Sequence, residues 1–397
     1  MSFAGSLDVG HALPADSGRP RLDSIDFMRG LAMIIMALDH ARDFFGHGGL
    51  NPRDVADPAL FLTRWITHFC APTFIFLAGI SSYLYGTRGR VVGDVSRFLL
   101  TRGFWLLAVE FVIMTFGWTF SSAYNVLIGN VIWAIGASMI VLAGLVWLPR
   151  TVISIFALAL IAGHNLFDAV RPSDLGSLYW IWMILDQGGN VPIPHIALLH
   201  ILYPLIPWIG VMAAGYALGP VFRWEAQARR RLLAGLGAGI MLGFVILRAS
   251  NLYGDPGSWQ MQSGTLATVL SFINCEKYPP SLLYLMMTLG PVLLLLSAFD
   301  GISGRLAGFI TAYGRVPLIY YIAHIHLLHA LAVLLVLATY SDPSWVFAMS
   351  PKRPADYGLD LPALYALWLA VVLMLSPLVR WFAAVKRHRR EWWLSYL

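Results

Sequence analysis

The sequence predicts an all-α, polytopic integral membrane protein of about ten transmembrane helices, with both termini in the cytoplasm. Two observations support this prediction. Of the 397 residues, 58% are hydrophobic and 12% are charged, whereas soluble globular proteins have about 25% charged residues. Apolar stretches of about twenty residues, long enough to cross a bilayer as a helix, recur from Phe27 to Val385. A water-soluble fold is therefore excluded.

The positions of these stretches place the predicted spans. The ninth is drawn as one span, but it contains Tyr313-Gly314-Arg315-Val316-Pro317, whose Gly and Pro leave a break into two pieces as an alternative. Residues 175–190 are too short and too interrupted to span, which indicates an interfacial or re-entrant segment. The spans cover residues 27–45, 60–86, 97–120, 124–147, 150–170, 196–219, 230–250, 280–299, 312–340 and 361–385.

The two ends of the chain are predicted to lie outside the membrane domain. Residues 1–25 lack an apolar core and are expected to form a cytoplasmic tail rather than a cleavable signal peptide. Residues 26–385 then form one transmembrane domain, and residues 386–397 a basic cytoplasmic tail. No soluble domain is expected between the spans.

The distribution of charge predicts the orientation. The chain has a net charge of +6, and most of its Lys and Arg residues fall at the span ends that share a side with the N-terminus. Such an excess marks the cytoplasmic side of a membrane protein. The basic character therefore needs no nucleic-acid partner, and none is expected.

Ionisable residues within spans are costly to insert and mark functional candidates. The first span holds most of them. On a helix, His40 and Asp43 share one face, and so do Asp39 and Arg42. A histidine with a carboxylate one turn away is the minimal arrangement for a general base. The alternative is a structural ion-pair network that anchors the end of the helix.

Histidine placement indicates a polar cavity open to the outer side. Apart from His11 and His388, all histidines are predicted in the outer half or on the outer side. For His164 and His200 a packing role is favoured. The spacing of His324, His326 and His329 does not give a standard helical ligand set, so no metal is expected. The outer set comprises His40, His47, His68, His164, His195, His200, His324, His326 and His329.

Arg29 and His40 stand about 16 Å apart along one helix. A cation near the inner face and a base near the outer face suit a long anionic carrier such as coenzyme A. Besides Arg29, Arg88, Arg97 and Arg102 are candidates to neutralise its phosphates, although topology alone also explains arginines at these places. Glu110, alone in the third span, is either a proton-path residue or hydrogen-bonded within the bundle.

Four segments resemble one family, namely bacterial members of the heparan-alpha-glucosaminide N-acetyltransferases. They are R21-L-D-S-I-D-F-M-R-G-L-A-M-I-I-M-A-L-D-H40, L62-T-R-W-I-T-H-F-C-A-P-T-F-I-F-L-A-G79, K277-Y-P-P-S-L-L-Y284 and Y313-G-R-V-P-L-I-Y-Y-I-A-H324. The spacing between Arg29 and His40 also matches that of the wider transmembrane acyltransferases.

The resemblance implies transfer of an acetyl group from cytoplasmic acetyl-CoA to an amino sugar or other glycan acceptor beyond the membrane. His40 would be the base or the transient acyl carrier, and Arg29 would support the donor site. The lysosomal enzyme has Asn where His40 aligns and a catalytic histidine further along, so His47 is a second candidate. The acceptor is expected at an outer mouth formed by His68, Glu276, Lys277, His324 and His329.

The expected setting is a bacterial inner membrane, with the lipid bilayer as a partner. Two other functions stay open at this point. Buried charge in a helical bundle also suits a proton-coupled or small-solute transporter, and a non-catalytic envelope component is a third reading. The sequence leaves the oligomeric state open, including a homo-oligomer.

Overall fold

The computed structural model describes residues 23–47, 51–347, 353–389 and 391–396. This part of the chain is mostly helical. The helices are α1 (Asp23–Phe45), α2 (Pro58–Thr67), α3 (Cys70–Gly86), α4 (Val92–Ala108), α5 (Thr115–Thr119), α6 (Val131–Leu145), α7 (Arg150–Gly163), α8 (Tyr179–Trp182), α9 (Leu205–Leu218), α10 (Ala226–Ser250), α11 (Thr265–Ile273), α12 (Leu282–Ala298), α13 (Arg305–Arg315), α14 (Pro317–Thr339) and α15 (Leu361–His388). The strands are β1 (Val126–Gly129), β2 (Gly189–Ile193) and β3 (Ala197–Ile201).

Shorter helical turns link some of these elements. Two π-helical turns cover Val109–Met114 and Met183–Gln187. The 3₁₀ turns cover His164–Phe167, Pro172–Leu178, Gly219–Arg223, Ser344–Phe347 and Trp392–Ser395.

Seven helical stretches in the described residues are long and apolar enough to cross a membrane, so the chain is a multi-pass membrane protein. Two further apolar helices, α6 and α12, are shorter. Helix α1 is long enough but carries six charged residues. The predicted number of ten spans therefore stays a prediction. The seven stretches are Pro58–Gly86, Val92–Thr119, Arg150–Phe167, Leu205–Arg223, Ala226–Ser250, Pro317–Thr339 and Leu361–His388.

Helix α1 lies among other helices, and more than half of its residues are buried. Its closest partner is α13, where Gly30 and Gly314 let the two backbones touch. A Cβ atom on Gly30 would overlap the carbonyl oxygen of Ile310, and one on Gly314 would overlap that of Asp26. Glycine is required here because any side chain would push the helices apart. Helix α14 also contacts α1.

The second predicted span is broken. The stretch Pro58–Gly86 covers this span, predicted over residues 60–86, but within it α2 ends at Thr67 and α3 begins at Cys70. Pro72 has no N–H to bond the carbonyl oxygen of His68 four residues before it. That oxygen instead accepts a hydrogen bond from the Tyr284 hydroxyl at 2.7 Å. The break therefore fixes His68 against α12.

A small sheet was not predicted. Strand β3 lies between β1, which runs parallel to it, and β2, which runs antiparallel. The predicted spans 124–147 and 196–219 consequently begin too early, since α6 starts at Val131 and α9 at Leu205. The short aliphatic runs before these helices pair as strands, which satisfies their backbone groups.

Two other predictions concern helix ends. Of the two alternatives for the ninth span, residues 312–340, the structure has the break, because α13 ends at Arg315 and α14 begins at Pro317. The predicted N-terminal tail lies outside the described residues over positions 1–22, and α1 already begins at Asp23. At the other end, α15 continues to His388, so the predicted C-terminal tail begins inside a helix.

Candidate active site

His40, near the C-terminal end of α1, pairs with His324 of α14. Nδ1 of His40 lies 2.7 Å from Nε2 of His324, and the two rings meet edge to edge, with their planes 10° apart and their centroids 5.0 Å apart. Nδ1 of His324 donates a hydrogen bond to the carbonyl oxygen of Tyr320 at 2.7 Å. His40 is 7% exposed and His324 is fully buried. The predicted base is therefore held in place by a second imidazole.

Aromatic side chains flank His40. The rings of Trp118 and Tyr321 meet it edge to face, with centroids 5.2 and 5.8 Å away. The indole nitrogen of Trp118 and the hydroxyl of Tyr321 lie close to each other. Both atoms are buried, and neither makes a hydrogen bond of normal geometry with the described residues. Buried donors without well-formed hydrogen bonds are rare in folded proteins, so these two are candidates for contacts with a substrate.

The two carboxylates at this end of α1 bind Arg42 rather than His40. Nη2 of Arg42 lies 2.7 Å from Asp39 and 2.9 Å from Asp43. The predicted imidazole–carboxylate pair is thus not formed among the described residues, because the guanidinium offers both carboxylates stronger, charge-assisted contacts. The ion-pair network that the sequence offered as the alternative is present.

Lys277 extends this network to the loop before α12. Its ammonium lies 3.8 Å from the second Asp39 oxygen. Burial acts to lower the pKa of Lys277, but Tyr278 and Asp39 more than offset it, so the pKa lies above its ordinary value. The neighbouring Glu276 pairs with Arg53 at 2.7 Å. The loop therefore keeps a buried ammonium ion beside the end of α1.

His68 lies at the break between α2 and α3 and is 5% exposed. Both its ring nitrogens are buried and have no hydrogen-bond partner among the described residues. Lys277 and Asp39 are near enough to interact with it electrostatically. Of the predicted acceptor-binding residues, His68 is thus the one whose ring nitrogens are both unused.

The other two histidine candidates differ in exposure. His47 follows α1 and is exposed. His329 is fully buried, with Nδ1 and Nε2 at 2.8 and 3.1 Å from the carbonyl oxygens of Gly117 and Val346. His329 therefore joins three segments, and a role for it in acceptor binding stays a prediction.

The predicted donor arginines fall into two sets, because Arg102 lies near enough to Arg29 to interact with it electrostatically, whereas Arg88 and Arg97 are exposed. Arg29 donates hydrogen bonds to Asp26 at 3.1 Å, to the Gly314 carbonyl at 3.2 Å and to the Ser81 hydroxyl at 2.8 Å. Arg88 and Arg97 are exposed near the facing ends of α3 and α4, while Arg102 is half-buried further along α4.

A different set of arginines lines a cleft of about 490 Å³ between α13 and α15. One of them, Arg315, pairs with Asp23 at 3.2 Å and approaches Asp26, the carboxylate that Arg29 also contacts. These arginines were not among the predicted donor residues. The signal was the spacing of Arg380 and Arg387, which places both on one face of α15. The cleft is lined by Arg305, Gly308, Phe309, Ala312, Arg315, Arg380, Ala383, Ala384 and Arg387.

A second cleft, of about 480 Å³, lies at the end of the bundle where α1 ends and α12 begins. Its wall is almost entirely polar. It adjoins the loop before α12, because Arg53 in its wall pairs with Glu276. The cleft is lined by Asn51, Arg53, Asp54, Val55, Ser258, Gln260, Gln262, Ser271 and Asn274.

Glu110 is fully buried within the π-helical turn after α4. One of its carboxylate oxygens accepts the backbone N–H of Asn130 at 3.0 Å, at the start of α6. A carboxylate at a helix N-terminus complements the helix dipole. Of the two predicted roles, hydrogen bonding within the bundle is the one with contacts in the structure.

His40, paired with His324, thus lies beside the buried Trp118 and Tyr321 side chains. An arginine-lined cleft and a polar cleft lie at the two ends of its helix. The model of the family described as heparan-alpha-glucosaminide N-acetyltransferase, catalytic, matches residues 21–247. The chain belongs to this family. Membership indicates a membrane acetyltransferase. No curated protein matches the chain.

The part matched to this N-acetyltransferase family contains Arg29, His40 and His68. His324 and Lys277 lie beyond it, so the family match alone does not reach the second half of the histidine pair. Among the described residues, no three His, Cys, Asp or Glu side chains come together as metal ligands.

Proposed function

We propose that this protein transfers an acetyl group from cytoplasmic acetyl-CoA to an amino sugar or other glycan acceptor on the outer side of a bacterial inner membrane. Family membership supports acetyl transfer. The seven apolar helices support a site enclosed within a membrane. In this proposal α1 links the two sides, since it holds Arg29 near one end and His40 near the other.

One observation supports the chemistry above all others. No hydrogen bond from the described residues reaches Nε2 of His40, while its Nδ1 is engaged by His324. This leaves one ring nitrogen for a substrate proton, as a general base requires. The unpaired donors of Trp118 and Tyr321 flank the same ring.

The proposed reaction begins when the acceptor nitrogen or oxygen attacks the carbonyl carbon of the thioester. Nε2 of His40 takes the proton of the acceptor, and the carbonyl oxygen becomes an oxyanion. Trp118 and Tyr321 donate hydrogen bonds to this oxyanion. The carbon–sulfur bond then breaks, and the thiolate of coenzyme A leaves and takes up a proton. In the two-step form of this reaction, Nε2 itself carries the acetyl group between donor and acceptor.

The arginine cleft between α13 and α15 is the proposed place for the phosphates of the donor. Arginine binds phosphate oxygens in bidentate fashion, and the cleft joins the N-terminal end of α1 through Arg315 and Asp26. From Arg29 the chain rises about 16 Å along α1 to His40. The long arm of acetyl-CoA would follow this direction. Arg88, Arg97 and Arg102 stay candidates for the same role.

The polar cleft at the opposite end of α1 is the proposed approach for the acceptor. Amide and hydroxyl side chains in its wall can hydrogen-bond to sugar hydroxyls. Glu276 links this cleft to Lys277, and Lys277 to Asp39. His68 also lies near Lys277 and Asp39, and its two ring nitrogens have no hydrogen-bond partner among the described residues, so they can bind the acceptor. Asp39 and Asp43 both pair with Arg42, and Asp39 also pairs with Lys277. The proposed role of the two carboxylates is to hold these cations beside His40.

The test uses His40→Ala in proteoliposomes, with acetyl-CoA and a glucosamine-terminated oligosaccharide on opposite sides. We expect loss of both oligosaccharide acetylation and release of the coenzyme A thiol. His388→Ala, which changes an exposed histidine near the end of α15, is the matched control. Normal transfer by His40→Ala would refute the assignment.

Two further outcomes separate the alternatives. Loss of transfer in His47→Ala but not in His40→Ala would move the base to His47. Passage of substrate across the membrane without thiol release would favour a transporter. Mass spectrometry of acid-quenched protein detects an acetyl group on His40 if the two-step form operates.

A further inference from the structure

The pairing of His40 with His324 determines which nitrogen of His40 carries a proton. A neutral imidazole has one N–H and one lone pair, so each of its nitrogens either donates or accepts. The carbonyl oxygen of Tyr320 can only accept. Nδ1 of His324, 2.7 Å from that oxygen, therefore carries the proton of His324.

The assignment passes from His324 to His40. With its proton on Nδ1, a neutral His324 has a lone pair on Nε2 and can only accept there. Nδ1 of His40 lies 2.7 Å from this lone pair, so it must be the donor. The proton of a neutral His40 is then on Nδ1, and its lone pair is on Nε2. These contacts make Nε2 the basic nitrogen of His40, and Nε2 is the ring nitrogen to which no described residue forms a hydrogen bond.

The surroundings of His324 favour its neutral form. The ring is fully buried, and among the described residues it forms hydrogen bonds only with Tyr320 and His40. Neither partner is a carboxylate. A charged imidazole without a compensating anion is costly in a site that excludes water. A protonated His324 would donate to Nδ1 of His40 instead and would place the proton of His40 on the wrong nitrogen.

The backbone holds this arrangement rigidly. Tyr320 and His324 are one turn apart on α14, and that helix contacts α1. The Tyr320 ring stacks on His324 with centroids 4.9 Å apart, and the Tyr321 ring meets His324 edge to face with centroids 5.6 Å apart. These two aromatic contacts and the bond to the Tyr320 carbonyl oxygen restrict the rotation of the His324 ring, so its nitrogens keep their directions.

We propose that His324 is a positioning residue that fixes His40 in the tautomer with its proton on Nδ1, so that Nε2 is the base. The role of Nε2 as the base rests on the proposed function, whereas the tautomer follows from the hydrogen bonds alone. An imidazole serves here where a carboxylate would be expected, and it orients His40 without adding a negative charge to the buried site.

The experiment is nitrogen-15 NMR of histidine-labelled full-length protein in lipid. Protonated and unprotonated ring nitrogens resonate far apart, and the His40 signals are assigned by their loss in His40→Ala. We expect a protonated Nδ1 and an unprotonated Nε2 in the unchanged protein. The opposite assignment would overturn the proposal, whatever any variant of His324 does.

Two variants of His324 extend the test to turnover. His324→Phe keeps a ring but removes both nitrogens, so the His40 signals should become a mixture of tautomers. His324→Gln keeps an acceptor oxygen for His40, so it should keep the tautomer. We expect His324→Phe to lower kcat roughly 10- to 100-fold, as for other residues that orient a functional histidine, with KM for acetyl-CoA unchanged and with His324→Gln retaining most of the rate.

Failure of this inference is distinguishable from failure of the proposed function. An unchanged His40 tautomer in His324→Phe would overturn the positioning role, even if His40 is essential for transfer. Equal loss of rate in the Gln and Phe variants would also overturn it, since only packing would then be common to both. By contrast, normal transfer by His40→Ala would refute the function and leave the NMR result standing.

Discussion

Tyr321 places a hydroxyl group without a described partner beside the ring of His40. If this hydroxyl donates to the oxyanion, Tyr321→Phe should lower kcat and change KM little, since the bond strengthens only as charge develops. Loss of one oxyanion donor costs roughly 100- to 1,000-fold in kcat. Stability should change little, because this hydroxyl makes no hydrogen bond of normal geometry with the described residues. Steady-state release of the coenzyme A thiol measures both constants.

Tyr320→Phe is the matched control for this prediction. Its hydroxyl is also buried and without a described partner, but its ring stacks on His324 rather than meeting His40. The bond between its carbonyl and His324 comes from the backbone and survives the change. Equal losses of kcat in the two variants would assign the effect to packing and contradict an oxyanion role for Tyr321.

At the residue scale, the sequence singled out both His40 and His324 but did not predict their contact. His40 stands out because few polar residues occur in the spans. His324 lies 284 positions away, so their contact depends on how α1 packs against α14. Within α1, the helical spacing that brings Asp43 near His40 also brings Asp39 near Arg42. Spacing alone cannot rank these contacts, and the guanidinium forms the stronger ones.

The contact between α1 and α13 depends on Gly30 and Gly314. Gly30→Ala places a methyl group against the backbone of α13, which cannot move aside like a flexible side chain. We expect a loss of about 1–3 kcal/mol in the free energy of unfolding, as for other overpacked interiors. The displacement of α1 should also lower acetyl transfer, because His40 would shift relative to α14. Thermal unfolding in detergent measures the first effect.

Gly235→Ala is the control for this element. Gly235 lies in α10, and nothing is within 4 Å of the position that its Cβ would take. Alanine has the higher helix propensity, so this variant should be at least as stable as the unchanged protein. A melting temperature for Gly30→Ala that matches the Gly235→Ala value would contradict close packing of α1 on α13.

At the element scale, local signals predicted some boundaries and not others. The break before Pro317 has a local sequence signal, because a Gly and a Pro lie within four residues of each other there. The break at His68 depends on a single proline within an apolar run, and prolines inside spans are often tolerated. Strands β1 and β3 are short aliphatic runs that pair across 72 positions. A run of that length cannot be told from the start of a helix by periodicity.

At the scale of the whole molecule, the two clefts lie at opposite ends of α1 and differ in charge. Four arginines line the cleft at its N-terminal end, whereas the cleft beyond its C-terminal end is lined by amides, hydroxyls and one pair of opposite charges. This asymmetry agrees with the orientation expected from the distribution of Lys and Arg. The sequence could predict the asymmetry because it depends on composition along the chain and not on contacts.

The orientation is tested with single cysteines at the two ends of α10. Glu225 precedes this helix and Gln262 lies in the loop after it, and both are exposed. The native cysteines are buried, and burial raises the pKa of the Cys275 thiol to about 12, so little background labelling is expected. In intact cells, an impermeant maleimide should label Gln262→Cys at once and Glu225→Cys only after the membrane is permeabilised. The reverse order would place the arginine cleft outside and would remove cytoplasmic acetyl-CoA as the donor.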